Sequence, residues 1–533
     1  MFLFSYFILF LGMSRYPNIY DEGLVLTAAM RVAAGQIPHR DFYANYGPAQ
    51  FYILAGLFKL FGESLIVERL FDLLVKALVV TSVYAIALCY CRRLVAAWLA
   101  ILATMWLIAL RDLPGTPVIP VSLLNLISSL LICPVLTRGI STKRMLAAGA
   151  VVGVAAMFRY DTGVALLGIH TSVIAVSIWL KPGKHRLRCF MSTYWPYLLG
   201  FAAVTIPPAF YYLSVAPLHF FVHDMIVYPG RHYHPGRNLP FPGVQFGEPE
   251  TLGVYLPILV AVVALYVTLV PRFKSRGSAP GSVKPSASME EWQAFLVVFG
   301  ILAAVMYLKG VVRVSLGQMY LSIIPSLLLI GVLFEYRFTL PRPGRISVII
   351  LAALSVVAPT WAARHVSKGI YLGHESVFSF PAQGAPAIQT WCKSENPLTH
   401  GFCFFPEEER REAIEFISNH TEPGQKLYVG VTKHDRIFAN DNIIYFATQR
   451  LPATKWSHFD PGLQNSYEVQ AEMVRELQMN SPPYVVLDSE FEAVHEPNDS
   501  SRSTGVTLLD EYIRKAYRPA RNFGDLSVWQ HKE

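Results

Sequence analysis

The sequence predicts a polytopic α-helical membrane protein with a soluble α/β domain at its C-terminal end, and three observations carry this. Of 533 residues only 15% are charged and 53% are hydrophobic, with a mean hydropathy of +0.38, whereas soluble globular chains carry about 25% charged residues. Apolar runs long enough to cross a hydrocarbon core of about 30 Å as a helix recur from the N-terminus to residue 362. After residue 362 the composition turns polar, and helix-like and strand-like segments alternate. An ordinary cytosolic enzyme is thereby excluded. The net charge of +8 would suggest nucleic acid in a soluble domain, but the basic residues cluster in short loops between apolar runs, which is the signature of membrane topology.

About eleven spans are expected, near 1–13, 66–91, 94–110, 117–136, 145–160, 162–180, 190–214, 251–270, 292–308, 317–336 and 346–362. The first is short, which leaves open a start codon further upstream. It lacks the basic n-region and small-residue cleavage site of a signal peptide. The stretch from Pro48 to Gly62 decides the topology, because counting it as a span inverts everything downstream. It reaches only about 20 Å as a helix, and Pro48 and Gly62 bracket it as start and stop signals. It is therefore assigned to the membrane interface.

With that choice one set of alternate loops carries Arg92, Arg93, Arg138, Lys143, Arg144, Lys181, Lys184, Arg186, Arg188, Arg272, Lys274, Arg276, Lys284, Arg337, Arg342 and Arg345. Leaving aside the long first loop, the opposite set holds Arg111, Arg159, Arg231, Arg237, Lys309 and Arg313. The imbalance places the first set in the cytoplasm. A transmembrane domain over 1–362 is expected, with a first outward loop at 14–65 bearing interfacial helices. An extracytoplasmic α/β domain follows over 363–533, and the protein is expected in the plasma (inner) membrane. Residues 271–291, rich in Ser, Gly, Pro and Lys, read as a flexible cytoplasmic linker.

The soluble region reads as helix over 406–417, strand over 426–431, helix over 466–479, strand over 484–488 and helix over 505–516, an alternation typical of a small α/β domain. It contains no nucleophile elbow, phosphate loop or metal signature, and Lys433-His434-Asp435 reads as a solvated turn. Cys392 and Cys403 flank Pro397 and Gly401 in one polar segment. In an oxidising compartment such a pair can close a short loop as a disulfide; the alternative is two unpaired thiols.

The first outward loop is dense in polar and aromatic groups, from Tyr16-Pro-Asn-Ile-Tyr-Asp-Glu-Gly23 to Pro38-His-Arg-Asp-Phe-Tyr-Ala-Asn-Tyr-Gly-Pro48. Asp21 and Glu22 stand where a membrane-surface helix would begin. One reading is a helix cap with favourable dipole interaction. The other is a carboxylate at the outer boundary, where a lipid-linked substrate presents its head group.

In this arrangement the sequence resembles the GT-C class of integral-membrane glycosyltransferases, in particular the branch of protein O-mannosyltransferases, aminoarabinose transferases and rhizobial galacturonosyltransferases. The resemblance rests on the first span, Asp21-Glu22, the stretch ending Ala34-Gly35-Gln36, the Tyr46-Gly-Pro48 turn, the stretch ending Leu60-Phe-Gly62, and Glu68-Arg-Leu70 opening the next span. It covers roughly residues 1–110. It implies a sugar transferred from a polyprenyl-phosphate donor to a lipid, glycan or protein acceptor on the outer face, with Asp21 or Glu22 as general base. Some members use a second outward acid and a divalent metal, which here would draw on Asp21 and Asp112; Asp112, before Pro114-Gly115, also fits a turn residue.

A departing phosphate needs cations or a metal. The phosphate-binding candidates are Arg231, His232, His234 and Arg237 in one outward loop, with Lys309 and Arg313 beside a later span; each could equally meet anionic head groups. Arg159 and Asp161 are expected to pair, since ionisable residues at membrane depth usually do. The competing reading is a transporter or flippase of lipid-linked sugars. It is disfavoured because transporters tend to place charge near the midplane, whereas these acids and bases gather at one membrane edge. A non-catalytic scaffold is the third reading, in which Asp21 and Glu22 would be dispensable.

Overall fold

Each apolar run becomes a helix, because within hydrocarbon only hydrogen bonds inside the segment can satisfy its backbone. The computed structural model describes residues 1–109, 115–137, 139, 141–179, 185–244, 249–276, 289–340, 342–372 and 390–532. The helices are α1 (Phe2–Leu11), α2 (Asp21–Ala33), α3 (Ala49–Phe61), α4 (Leu65–Leu88), α5 (Arg93–Ala109), α6 (Val118–Ile132), α7 (Thr142–Phe158), α8 (Tyr160–Trp179), α9 (Arg186–Val215), α10 (Leu218–Val222), α11 (His234–Arg237), α12 (Pro249–Arg276), α13 (Glu291–Gly310), α14 (Leu316–Glu335) and α15 (Arg342–Leu372). Among the described residues seven helices are long and apolar enough to cross a bilayer: α4, α6, α8, α9, α12, α13 and α14. The protein is thus a multi-pass membrane protein. A helix also stands at each of the other four predicted spans, α1, α5, α7 and α15, but α1, α5 and α7 are short, at 10, 17 and 17 residues.

The bundle has two chemically different ends. At one, Arg92 at the start of α5 meets Glu335 at the end of α14 at 3.4 Å, and Trp292 stacks on Tyr336 with ring centroids 4.6 Å apart. At the other end the first loop and the C-terminal domain are sewn together. Ser64 Oγ donates to the His400 carbonyl at 2.7 Å, Thr27 Oγ1 to the Asn442 carbonyl at 2.9 Å, and the Tyr43 amide to the Lys455 carbonyl at 3.2 Å. Helix α3 has both its ends on this side. The Gly47 amide before it bonds the Phe158 carbonyl at 3.0 Å, Ser64 after it holds His400, and Phe58 within it packs on Phe446. Its other face leaves Leu60 and Phe61 exposed at 77% and 65%.

The C-terminal domain contains α16 (Glu408–His420), α17 (Ile443–Thr448), α18 (Tyr467–Asn480) and α19 (Leu508–Ala516). Its sheet has β1 (Tyr428–Val431), β2 (Tyr484–Asp488), β3 (Tyr517–Phe523) and β4 (Leu526–His531) in the order β1-β2-β4-β3. Strands β1 and β2 run parallel, and β4 is antiparallel to both β2 and β3. The β3–β4 hairpin is absent from the sequence reading. Strand β3 is an edge strand with Pro519 beside a register shift, so it shows no apolar alternation, and edges and bulges are where a sheet tolerates proline. The Gly524-Asp525 turn was the available signal.

The turn at Lys433-His434-Asp435 is solvated only in part, with Lys433 exposed and His434 turned inward. His434 is fully buried; its Nδ1 lies 2.7 Å from Asp510 Oδ1 and its Nε2 2.7 Å from the Tyr428 hydroxyl. A partner 76 residues away in sequence removes the cost of burial. Cys392 and Cys403 form a disulfide with Cα atoms 5.4 Å apart. In the chain-entropy picture closing a loop this short contributes about 3 kcal/mol. Replacing both cysteines by serine should therefore lower the chemical-denaturation midpoint of the C-terminal domain, and an unchanged midpoint would remove the disulfide as a stabilising element.

Candidate active site

Asp21 opens α2. The turn before it is built by Asn18, whose Oδ1 accepts from the amides of Tyr20 at 3.0 Å and Asp21 at 2.8 Å. Gly23 follows because a Cβ there would stand 2.7 Å from the Ile443 amide nitrogen, where α17 crosses. The same logic explains Gly47: a Cβ would fall 2.2 Å from the Met157 carbonyl oxygen. These two close approaches fix the chain next to Asp21 and Tyr46, which lie near enough for the Asp21 charge to act on the Tyr46 hydroxyl. The Asp21 carboxylate is closely surrounded by protein yet keeps an accessible edge, and its side chain has no hydrogen bond or ion pair with a described residue. Burial pushes its carboxyl above the ordinary value, against the opposing pull of Arg237, His458 and Arg313.

Glu22 is fully buried. Arg69 holds it, with Nε 2.5 Å from Oε1 and Nη2 2.8 Å from Oε2, and the Asn18 amide donates to Oε2 at 2.8 Å. Thus the two adjacent acids differ: one is committed to an internal pair, the other open. Asp112 lies outside the described residues, as does any Asp21–Asp112 metal pairing. Among the described residues no group of three or more His, Cys, Asp or Glu is placed to hold a metal. The cations facing Asp21 do not suit a further cation as its immediate partner.

The six phosphate candidates divide into two sets. Arg237 is buried, its Nη2 3.0 Å from Asp460 Oδ1 and 3.1 Å from the Tyr20 hydroxyl, with Nη1 on the Phe438 carbonyl at 2.9 Å. Arg313 grips Glu496 through both Nη atoms at 2.8 and 2.7 Å and also donates to the Arg237 carbonyl at 3.0 Å. Lys309 Nζ lies 2.7 Å from Asp161 Oδ2, whose same oxygen is 3.1 Å from Arg159 Nη2. The expected Arg159–Asp161 pair is thus a triad of two cations on one acid, partly exposed and next to Tyr46, over whose ring Arg159 lies at 5.6 Å. In contrast Arg231, His232 and His234 are exposed, without ion pairs to described residues, and His232 stacks on Tyr228 at 5.7 Å.

Sequence reasoning missed His458 and Asp460 in Trp456-Ser-His-Phe-Asp-Pro461. His458 Nε2 lies 3.2 Å from Asp460 Oδ2, which also receives the Tyr43 hydroxyl at 3.2 Å and the Asn45 amide at 3.3 Å. Burial pushes the Asp460 carboxyl up, but His458 and Arg237 outweigh it and hold the group below the ordinary carboxylate range. Asp460 is therefore an anion that fixes three first-loop and loop side chains, and its charge helps to raise the nearby Asp21 carboxyl. A His-x-Asp-Pro segment in a soluble domain was the only available signal.

A helical bundle, a first loop carrying two short helices, and a C-terminal domain meet around a carboxylate and several cations at one end of the bundle, and this fold is shared with solved structures. Among solved structures it is similar to ArnT from Cupriavidus metallidurans bound to undecaprenyl phosphate, with a TM-score of 0.55 and 15% identity over 99% of this chain and 96% of that one. It is also similar to the apo oligosaccharyltransferase of Archaeoglobus fulgidus, with a TM-score of 0.50 and 11% identity over 92% of this chain and 69% of that one. No family model matches the chain, and no curated protein matches it.

Proposed function

We propose that the protein is a glycosyltransferase that moves one sugar from a polyprenyl-phosphate donor to a lipid, glycan or protein acceptor on the extracytoplasmic face of the plasma membrane. The observation that carries this reading is the open Asp21 carboxylate at the start of α2, with Arg237, Arg313 and His458 near it, and Arg159, which shares Asp161 with Lys309, over the Tyr46 ring. Likeness in fold to a protein solved with undecaprenyl phosphate bound supports a polyprenyl-phosphate donor.

The chemistry balances without a nucleotide. Asp21 takes the proton of the acceptor's hydroxyl or amine while that atom attacks the anomeric carbon, and the bond from the anomeric carbon to the phosphate oxygen breaks, with its electron pair leaving on polyprenyl phosphate. Cations lower the cost of that departing charge. Lys309 and Arg159 share a single acid, so one positive charge is left for the phosphate, while Arg231, His232 and His234 extend the cationic surface outward. Glu22 holds the Asp21 turn through Arg69 and Asn18. The shifted Asp21 carboxyl suits a base, since a higher pKa takes a proton more readily once ionised.

Two measurements test this. Purified protein in lipid nanodiscs, given a panel of radiolabelled polyprenyl-phosphate sugars, should release label to an acceptor extract and return polyprenyl phosphate in equal amount; no transfer from any donor, with substrate flipping in its place, would turn the reading to a transporter. Single cysteines at Glu422 and Arg502 should react with a membrane-impermeant maleimide in intact cells, and cysteines at Arg93 and Arg188 should not. The reverse pattern would overturn the orientation and the interfacial assignment of α3 on which it depends.

A further inference from the structure

The C-terminal domain has a second polar concavity. It lies at the carboxyl ends of the parallel strands β1 and β2, where Val431 pairs in register with Asp488, the position at which α/β sheets leave a crevice for ligands. The crevice is shallow, with a cavity volume of about 30 Å³ and the rest open to solvent, and is lined by Lys433, Arg436, Phe438, Asp488, Phe491 and Glu492 among others. Most of its charges are committed, since Lys433 Nζ sits 2.8 Å from Glu492. Two are not. Asp488 is 2% exposed, and although its Oδ1 accepts from the Glu490 amide at 2.8 Å, its Oδ2 has no hydrogen-bond partner. Arg436 is half-buried and makes no direct ion pair with a described carboxylate, although it lies near enough to Glu492 for its charge to hold that carboxyl down. A buried oxygen without a partner costs stability, so a ligand that fills it is favoured.

We propose that this crevice is a subsite for an acidic saccharide unit of the acceptor, with Arg436 holding the unit's anionic group, Asp488 its hydroxyls, and the Phe438 and Phe491 rings the apolar face of the sugar ring. This deepens the transferase reading and rests on it for the word acceptor. A guanidinium fork matches a carboxylate or phosphate in two parallel hydrogen bonds. The two rings, 5.4 Å apart and tilted by 36°, offer flat hydrocarbon next to these polar groups. Burial, with Asp441 adding repulsion, pushes the Asp488 carboxyl up to about 7, so near neutrality it can donate a hydrogen bond and does not simply repel an acid. Phe438, which lines the crevice, also accepts from Arg237 through its carbonyl at 2.9 Å.

The test uses full-length protein in nanodiscs, titrated with methyl β-glucuronide and with methyl β-glucoside and read by calorimetry. The glucuronide should bind more tightly than the glucoside. Arg436→Gln should weaken the glucuronide about tenfold or more and leave the glucoside unchanged, while Asp488→Asn should weaken both. Equal affinity for the two probes in the unmodified protein, or no effect of Arg436→Gln, overturns the proposal, and the first comparison needs no variant to fold. Sugar transfer measured in parallel separates the two readings: transfer without glucuronide preference removes the crevice alone, and glucuronide preference without transfer from any donor keeps the saccharide site and removes the transferase.

Discussion

Asp21→Asn should reduce sugar transfer by about 10²–10⁴, the usual contribution of a positioned general base, while leaving the thermal midpoint unchanged. The amide keeps the volume of the carboxylate, and the turn before it is held through backbone amides bonded to Asn18, so the fold has little reason to respond. What the variant lacks is the capacity to take a proton. Since burial raises the Asp21 carboxyl above its ordinary value, the acid limb of kcat/KM should lie above the ordinary aspartate value of about 3.9: activity falls as pH drops through the raised pKa, because only the ionised form is a base. Glu22→Gln should be the milder lesion, acting through the position of Asp21. An Asp21→Asn protein with unchanged turnover would remove the residue from the mechanism.

Arg69→Met should be the most destabilising single change in the first loop and its neighbours. It leaves Glu22 without its partner in a site with no access to solvent, beside Glu68, whose carboxylate is also fully buried and only 3.8 Å from the Arg69 Nε. Breaking a buried pair by removing one partner costs about 3–5 kcal/mol, mostly because a charge is stranded. Unfolding in mild detergent should reflect a loss of this size, and adding Glu22→Gln should restore part of it, since the stranded charge is then gone. If the double variant is no more stable than Arg69→Met alone, the pair is not what holds the first loop to α4.

The helical bundle was legible because the bilayer imposes it: a run of apolar residues has one way to satisfy its backbone in hydrocarbon. The stretch from Pro48 to Gly62 was legible as a short helix, α3, from its length and its bracketing residues, and Glu68-Arg-Leu70 marked the start of α4. The C-terminal domain was legible only where periodicity is strong. Strand β2 was read with its bounds, whereas β3, polar at an edge, and α17, six residues long, carried too little pattern.

The sequence by itself determined the class of this protein: a multi-pass helical membrane chain with an acid pair after its first apolar helix and a mixed α/β domain at the end. Those are properties of composition, run length and adjacency, which do not depend on which segments meet. Only the tertiary structure decided that Asp21 is open while Glu22 is spent on Arg69, that Arg237 and Arg313 are held by Asp460 and Glu496, that His434 is buried on Asp510, and that His458 faces Asp21. Each of those is a pairing between groups distant in the chain, and the state of a carboxylate is set by the charge and solvent around it, which adjacency in sequence does not encode.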